Sequence, residues 1–443
     1  MATKAIITEQ HLTDIADAIR EKRGTEDTYK PGEMAEAIKG IEGGSSETTY
    51  KLTSYSGYGN AIGQLVNQGF APDTSELEDA SDLFSYFTGT SLDVSAFDFS
   101  AATSAENMFM GCRNLTSIDL SAIDFSSLIK ASGMFSSCSN VESIKFNPDG
   151  LKACTDAASM FASCTALTSV EGLFLPNVTT LSSIFNKCSS MTDFDLSGIK
   201  TSSVESMAYM FYGCSSVTSL DLSSLSTAKC SYFSYLFYGC TSLKSVTLGN
   251  KFTASSATSF VSMFYGCTAL ESLDLSELST YNCTSFTRMF YNCSSLTDIE
   301  FGDNFDTGKA SAMEYMFYGC TSLTDLDLSG FDTSNKPSMT SFCQDCTSLK
   351  SVTFGEFVTS LYGGNHFSGC NSLVSITFES ETVVEASSYS LLWAGSSKYP
   401  APATFTGDPT VDSFRIYVDS NLIDEYESDN YWKQFAGYFE AIS

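Results

Sequence analysis

Hydrophobic positions along this chain recur in a fixed phrase. Three residues after each of a series of cysteines comes an apolar residue, then another at six and usually another at eight: Leu115, Ile118 and Leu120; Val217, Leu220 and Leu222; Leu323, Leu326 and Leu328. The last two positions sit two apart with a polar residue between them, which is the spacing of a short β-strand that buries one face. Four and three residues before the cysteine stand Met108-Phe109, Met134-Phe135, Met160-Phe161, Met210-Phe211, Met263-Phe264, Met289-Phe290 and Met316-Phe317, with Ile184-Phe185 and Leu236-Phe237 as substitutes. Met207, Met210 and Phe211 fall at helical spacing behind Ser/Thr-rich stretches able to cap a helix. The pattern predicts a short helix, the cysteine, a strand and a turn in every repeat.

The reference cysteines are Cys112, Cys138, Cys164, Cys188, Cys214, Cys240, Cys267, Cys293, Cys320, Cys346 and Cys370, spaced 24 to 27 residues apart. A period of that length marks a solenoid. One strand and one helical turn cannot bury their apolar residues alone, so neighbouring repeats must stack and build a parallel sheet with one strand per coil. The stretch "ASDLFSYFTGTSLDVSAFDFS" reads as a degenerate first coil with Phe87 in the cysteine's place, which makes about twelve coils in all. The fold class expected is therefore an α/β repeat, a solenoid over 83–378. Although the chain has 15 cysteines, parallel in-register Cβ atoms are badly placed for bridges. The column is expected to consist of free thiols packing as small hydrophobes.

The two ends break the period. Within 1–42, "TEQHLTDIADAIREKRG" puts Leu12, Ile15, Ala16 and Ile19 on one helical face, and "KPGEMAEAIKG" opens on Pro31 and stops at Gly40, the signals of a small helical hairpin. Such a unit has too little core to stand by itself, so it is expected to dock on another copy or another protein. A joint, "EGGSS", leads into a linker and N-terminal cap over 43–82. After 378 a strand from Phe414 to Val418 and an apolar stripe with Leu422, Ile423, Tyr426, Trp432, Phe435 and Phe439 predict an α/β C-terminal cap over 379–443.

Charge narrows the partners. Lys and Arg number 23 against 52 Asp and Glu, a net charge of −29, which repels phosphates and argues against nucleic acid and anionic membrane. No run approaches membrane-spanning length, and the N-terminus lacks the apolar core of a signal peptide, so synthesis in the cytoplasm without export by the usual route is expected. The only histidines are His11 and His366, far apart in sequence. No G-x-S-x-G, P-loop or H-E-x-x-H motif accompanies them, so no enzyme is expected. His366 stands where methionine is usual, which places it in the core or at its rim.

The phrase "MFYGCTSLTDLDLSGFDTSN" (Met316 to Asn335) resembles the repeat of mycoplasma-lipoprotein-associated surface proteins and the related BspA-like leucine-rich repeats. The likeness covers about 83–378 and implies a leucine-rich-repeat solenoid used for surface binding, with no catalytic residues. The N-terminal "ITEQHLTDIADAIREKRGTEDTYKPGEMAEAIKGI" is similar to the opening of tail-associated structural proteins of phages and prophages of Gram-positive bacteria. That second likeness implies a virion component that meets other virion proteins through 1–42.

Two rows of side chains are free to vary and so become candidate sites. Two residues before the cysteine stand Tyr212, Tyr238, Tyr265, Tyr291 and Tyr318, where other coils carry Met110, Ser136, Ala162, Asn186, Gln344 and Ser368. The tyrosines either pack between coils or anchor a sugar or a protein partner. Between the two buried strand positions stand Asp119, Glu171, Asp195, Asp221, Asp274, Glu300 and Asp327, interrupted by Lys145, Thr247 and Thr353. Carboxylates stacked about 4.8 Å apart repel; solvent and Ser/Thr neighbours relieve this, or Ca²⁺ or a basic ligand does. The candidate ligand-binding residues are the five tyrosines with Asp195, Asp221, Asp274, Glu300 and Asp327. No cofactor is expected beyond that calcium.

These readings converge on a phage tail-tip or fibre-like protein that recognises a host-surface glycan or protein. The alternatives are a bacterial cell-surface adhesin and a purely structural decoration. No heptad seam fixes a stoichiometry, and a homo-oligomer stays open.

Overall fold

The computed structural model describes residues 5–7, 50–52, 59–67, 73–388, 392 and 405–442. The helices expected within 1–42 and the joint after them lie outside these residues. Strand Ala5–Ile7 is described and pairs in parallel with Tyr50–Leu52. The chain is a parallel β-solenoid of about 12 turns, divided into two compact units, Met1–Val204 and Glu205–Ser443.

In the first unit, helix Gly59–Val66 precedes the first coil. A Cβ on Gly63 would lie 2.4 Å from the Phe87 ring, so the helix backbone rests directly on the residue that replaces the first cysteine. Strands Ser117–Leu120, Ser143–Phe146 and Ser169–Glu171 then form a parallel sheet in strict register, Ile118 beside Ile144 beside Val170. A second line of parallel bridges runs Asp79, Ser104, Lys130, Asp156, Thr180. It gives each coil a second point of contact with the next.

The second unit repeats the arrangement. Ser219–Asp221 pairs with Ser245–Thr247 and Ser272–Leu275 with Asp298–Phe301. A five-stranded parallel sheet follows in the order Asp325–Leu328, Ser351–Phe354, Ser375–Phe378, Arg415–Val418, Phe439–Ala441. The last two strands come from the tail, so the sheet continues beyond the repeats. Phe439 lies in a strand there, not on a helical stripe. Tyr426 and Trp432 are fully buried and tie the tail back: the Val384 amide donates to the Tyr426 hydroxyl at 3.0 Å, and the Trp432 indole donates to the Val384 carbonyl at 2.7 Å. Asp412, also buried, accepts from the Thr406 and Gly407 amides and from the Tyr438 hydroxyl.

The short helix expected in each coil is instead a run of tight turns. The residues five and one before the cysteine are left-handed throughout: Asn107 and Gly111, Ser159 and Ser163, Tyr209 and Gly213, Tyr235 and Gly239, Tyr315 and Gly319 all have positive φ. Asp82 and Tyr86 repeat the pair in the degenerate coil, so Phe87 replaces the cysteine without altering the backbone. A right-handed helix cannot pass through such residues. Alternate amides serve different partners. Met207, Tyr209, Phe211 and Gly213 donate to Tyr232, Ser234, Leu236 and Tyr238 of the following coil, while Met210, Tyr212 and Cys214 close turns on the carbonyls three residues back. The inward positions coincide with those of a helix, which is why Met207, Met210 and Phe211 imitate one. A left-handed conformation costs an ordinary residue about 1–2 kcal/mol, which explains the glycine of the Met-Phe-Tyr-Gly-Cys phrase.

The core is a stack of like on like. Phe109, Phe135, Phe161 and Phe185 form a ladder with centroids 5.3 to 5.7 Å apart; Phe211, Phe237, Phe264, Phe290 and Phe317 form another at 5.0 to 5.8 Å. The cysteines are free and buried, as expected, but they do more than fill space. In the repeat column thiols donate to a main-chain carbonyl one coil back, Cys138 to Phe109 at 2.9 Å and Cys240 to Phe211 at 3.1 Å, whereas Cys154, Cys230 and Cys283, outside the column, donate to the carbonyl two residues on. Burial pushes the Cys240 thiol up to about 12, so it stays protonated and inert.

Candidate functional site

The turn corner of the second unit brings the five tyrosines together. Each left-handed turn sends the residue two before the cysteine off the same corner, and the rings lie one on another: Tyr212 on Tyr238 at 4.7 Å, Tyr238 on Tyr265 at 4.4 Å, Tyr265 on Tyr291 at 4.6 Å, Tyr291 on Tyr318 at 4.5 Å, all within 6° of parallel. All five are half-buried. Burial, then the neighbouring phenols, raise the Tyr238 hydroxyl above its ordinary range. Burial followed by the Asp345 carboxylate does the same to Tyr318. Both hydroxyls therefore remain neutral donors.

Sequence reasoning missed the second row of this face. Tyr209 and Tyr235 stack on each other at 4.7 Å and tilt against Tyr212 and Tyr238. Tyr315 tilts against Tyr318 and carries the Arg288 guanidinium 5.3 Å from its ring centre, a cation–π arrangement. These residues occupy the left-handed place five before the cysteine. Their identity varies from coil to coil, and only the turn geometry reveals that they share a face with the first row.

The carboxylates behave differently. Asp195, Asp221, Asp274 and Asp327 each accept the amide of the serine two residues on, Ser197, Ser223, Ser276 and Ser329, at 2.9 to 3.0 Å. Asp119 does the same with Ser121. This closes the turn that leaves the strand. The serine hydroxyl and then its amide hold Asp119, Asp195, Asp221 and Asp274 below the usual carboxylate range. Asp274 and Glu300 sit side by side in register, whereas Asp221 faces Thr247 and Asp327 faces Thr353. In the first unit Lys145 lies between Asp119 and Glu171 and pairs with Glu171 at 3.5 Å. Among the described residues no three His, Cys, Asp or Glu side chains converge to hold a metal ion. The aspartate row is thus engaged in building turns before it meets any calcium or basic ligand.

His11 lies outside the described residues. His366 is buried, with Nδ1 2.8 Å from the Met339 carbonyl, and burial lowers it to about 4. Its Nε2 has no hydrogen-bond partner. One C-x-x-C also escaped the sequence reading: Cys343-Gln344-Asp345-Cys346, in which Cys343 takes the place of the ladder phenylalanine. Both thiols are buried and free. Among the described residues no helix is long and apolar enough to cross a membrane.

No curated protein matches the chain. Among solved structures it is similar to a leucine-rich repeat protein from Bacteroides ovatus, with 18% identity over 77% of this chain and 78% of that one and a TM-score of 0.39. It is similar also to a leucine-rich cell surface protein from Faecalibacterium prausnitzii, with 18% identity, 62% and 80% coverage and a TM-score of 0.28, and to the pneumococcal vaccine antigen PcpA, with 13% identity, 83% and 76% coverage and a TM-score of 0.35. The family described as Mycoplasma protein of unknown function, DUF285, matches three times in overlapping succession, over residues 60–170, 155–272 and 244–357. Matched in this way from 60 to 357, over more than half of its length, the chain belongs to the DUF285 family.

Proposed function

We propose that this chain is a non-enzymatic binding protein whose solenoid recognises a ligand on a host cell surface, carried as a tail-tip or fibre-like component of a phage virion. One observation carries the recognition half. Tyr212 to Tyr318 form an unbroken half-buried ladder in five successive coils, while sister coils build the same turns with Met110, Ser136, Ala162 and Asn186. The scaffold does not require those rings, and clustered aromatic side chains at a protein surface are the usual anchors of recognition. The virion half is supported by the N-terminal likeness to phage tail-associated proteins, with 1–42 as the attachment to other virion proteins. A bacterial cell-surface adhesin is the second reading, favoured by the likeness of the repeat to BspA-like surface proteins.

Immunogold labelling of phage particles and of the producing cells separates the two settings: label on tails supports the virion, label on the cell wall alone overturns it. For recognition, the purified full chain is bound to intact host cells beside a Tyr238→Ala/Tyr265→Ala/Tyr291→Ala variant. Equal binding by both, with unchanged circular dichroism, would leave the ladder a structural decoration.

A further inference from the structure

The ladder offers a ligand edges, not faces. Rings 4.4 to 4.7 Å apart and within 6° of parallel spend both faces of Tyr238, Tyr265 and Tyr291 on their neighbours, so nothing can stack on them from outside. What is left to a ligand is a row of phenol edges and hydroxyls repeating at the coil spacing. Burial raises the Tyr238, Tyr291 and Tyr318 hydroxyls above their ordinary range, so these three stay protonated.

The charge of the strip is as telling as its period. On a chain of net charge −29, each tyrosine of the column is followed by Gly213, Gly239, Gly266, Asn292 or Gly319 and then, past the cysteine, by a serine or threonine. Those hydroxyls form their own line: Thr268 donates to the Thr241 carbonyl at 3.1 Å, and Thr321 donates to that of Ser294 at 3.1 Å. The charges nearby are few and engaged: Arg288 lies over Tyr315, Glu314 accepts from the Thr287 hydroxyl, and Asp345 interacts with Tyr318. An anionic polymer would be repelled by the chain as a whole, and a cationic partner would be drawn to the strand carboxylates instead. A strip that is neutral, rich in hydroxyls and periodic matches a polymer with the same three properties.

We infer that the ligand of this face is a neutral linear polysaccharide, lying along the ladder and held edge-on by the tyrosine hydroxyls, its sugar repeat running with the coil repeat. The inference rests on the surface-recognition reading and narrows it to one ligand class.

The test uses the full chain on an array of neutral, sialylated and sulfated linear glycans, followed by calorimetric titration with neutral oligosaccharides of increasing length. Binding to neutral glycans is expected, with affinity rising until the oligosaccharide spans the five rungs and changing little with salt. Tyr265→Phe, which keeps the ring stack and removes one hydroxyl, is expected to weaken binding about tenfold at an unchanged melting temperature. Binding confined to charged glycans, binding to no glycan on the array, or wild-type affinity in Tyr265→Phe overturns the inference. Periodate treatment of host cells distinguishes the two levels. Cell binding that survives periodate but not protease leaves surface recognition standing and removes the polysaccharide, whereas no cell binding by the wild-type chain removes both.

Discussion

At the place two before the cysteine, Met110, Ser136, Ala162 and Asn186 of the first unit stand where Tyr212, Tyr238, Tyr265, Tyr291 and Tyr318 stand in the second. Around that place the two units agree. Both have left-handed residues five and one before the cysteine, both stack phenylalanines three before it, and both send the thiol to a carbonyl one coil back. The difference shows which positions hold the coils together and which are carried by them. Phenylalanine, cysteine and the left-handed turn belong to the scaffold; the tyrosines are an addition made in one unit and not the other.

If thiols stabilise both units alike, alkali should weaken both. Burial pushes Cys154 in the first unit and Cys240 and Cys283 in the second up to about 12, and Cys230 to about 11. Below about pH 9 these thiols are protonated in folded and unfolded chains, and pH has no effect through them. Above it the unfolded chain releases protons that the folded one keeps, so stability is lost as pH rises from about 9 toward 12. Each such thiol should cost about 1 kcal/mol by pH 10, several kcal/mol in sum, measured by denaturant unfolding at pH 8 and pH 10. Hydrogen exchange read unit by unit should show both weakening. Loss confined to the second unit would assign the effect to the tyrosines instead.

Phe135→Ala and Phe237→Ala open matching gaps in the two phenylalanine ladders. Each should cost about 3–5 kcal/mol in the same unfolding measurement; a cost in only one would deny the common scaffold. The turn gives a smaller, signed pair. Ser163 holds φ +63° with a side chain, and Gly239 holds φ +71° without one. A Cβ on Gly239 would meet nothing nearer than 3.9 Å, so backbone strain is the main term. Ser163→Gly should stabilise and Gly239→Ser destabilise by about 1 kcal/mol each. The smallest effects fall on the added rings: Tyr265→Ala should cost about 1 kcal/mol through its two stacking contacts, and Ala162→Tyr should stay within about 0.5 kcal/mol. A large cost for Tyr265→Ala with no loss of ligand would return the column to the scaffold.

The solenoid, its strands and its free thiols were legible in the chain because each leaves a periodic apolar mark: Ile118 and Leu120, or Leu220 and Leu222, have only one face to bury. The turns were not legible as turns. Met207, Met210 and Phe211 point inward in either conformation, and what separates the two is where the Tyr209 and Gly213 amides go, which apolar spacing does not record. A glycine in one coil facing Ser163 or Asp345 in others was the available hint of positive φ. The aspartates were legible only in part for a similar reason. Asp221 and Asp274 are the exposed charged row that the alternation predicts, but the spacing does not record that the serine two places on donates back to each of them. The tyrosine column was visible as a pattern, but its self-stacking, which decides how a ligand can meet it, depends on coil spacing and ring orientation alone.

The alternation of amides at the turn corner has a consequence for how such a chain can change. Met207, Tyr209, Phe211 and Gly213 all donate in one direction along the stack, and the carbonyls of Tyr232, Ser234, Leu236 and Tyr238 receive them. Within each unit neighbouring coils therefore meet through the same main-chain plug and socket, whatever their side chains. A genetic cassette encoding one coil can be duplicated or deleted in frame without leaving a mismatched joint, so the number of tyrosine rungs is a quantity that recombination can count up or down.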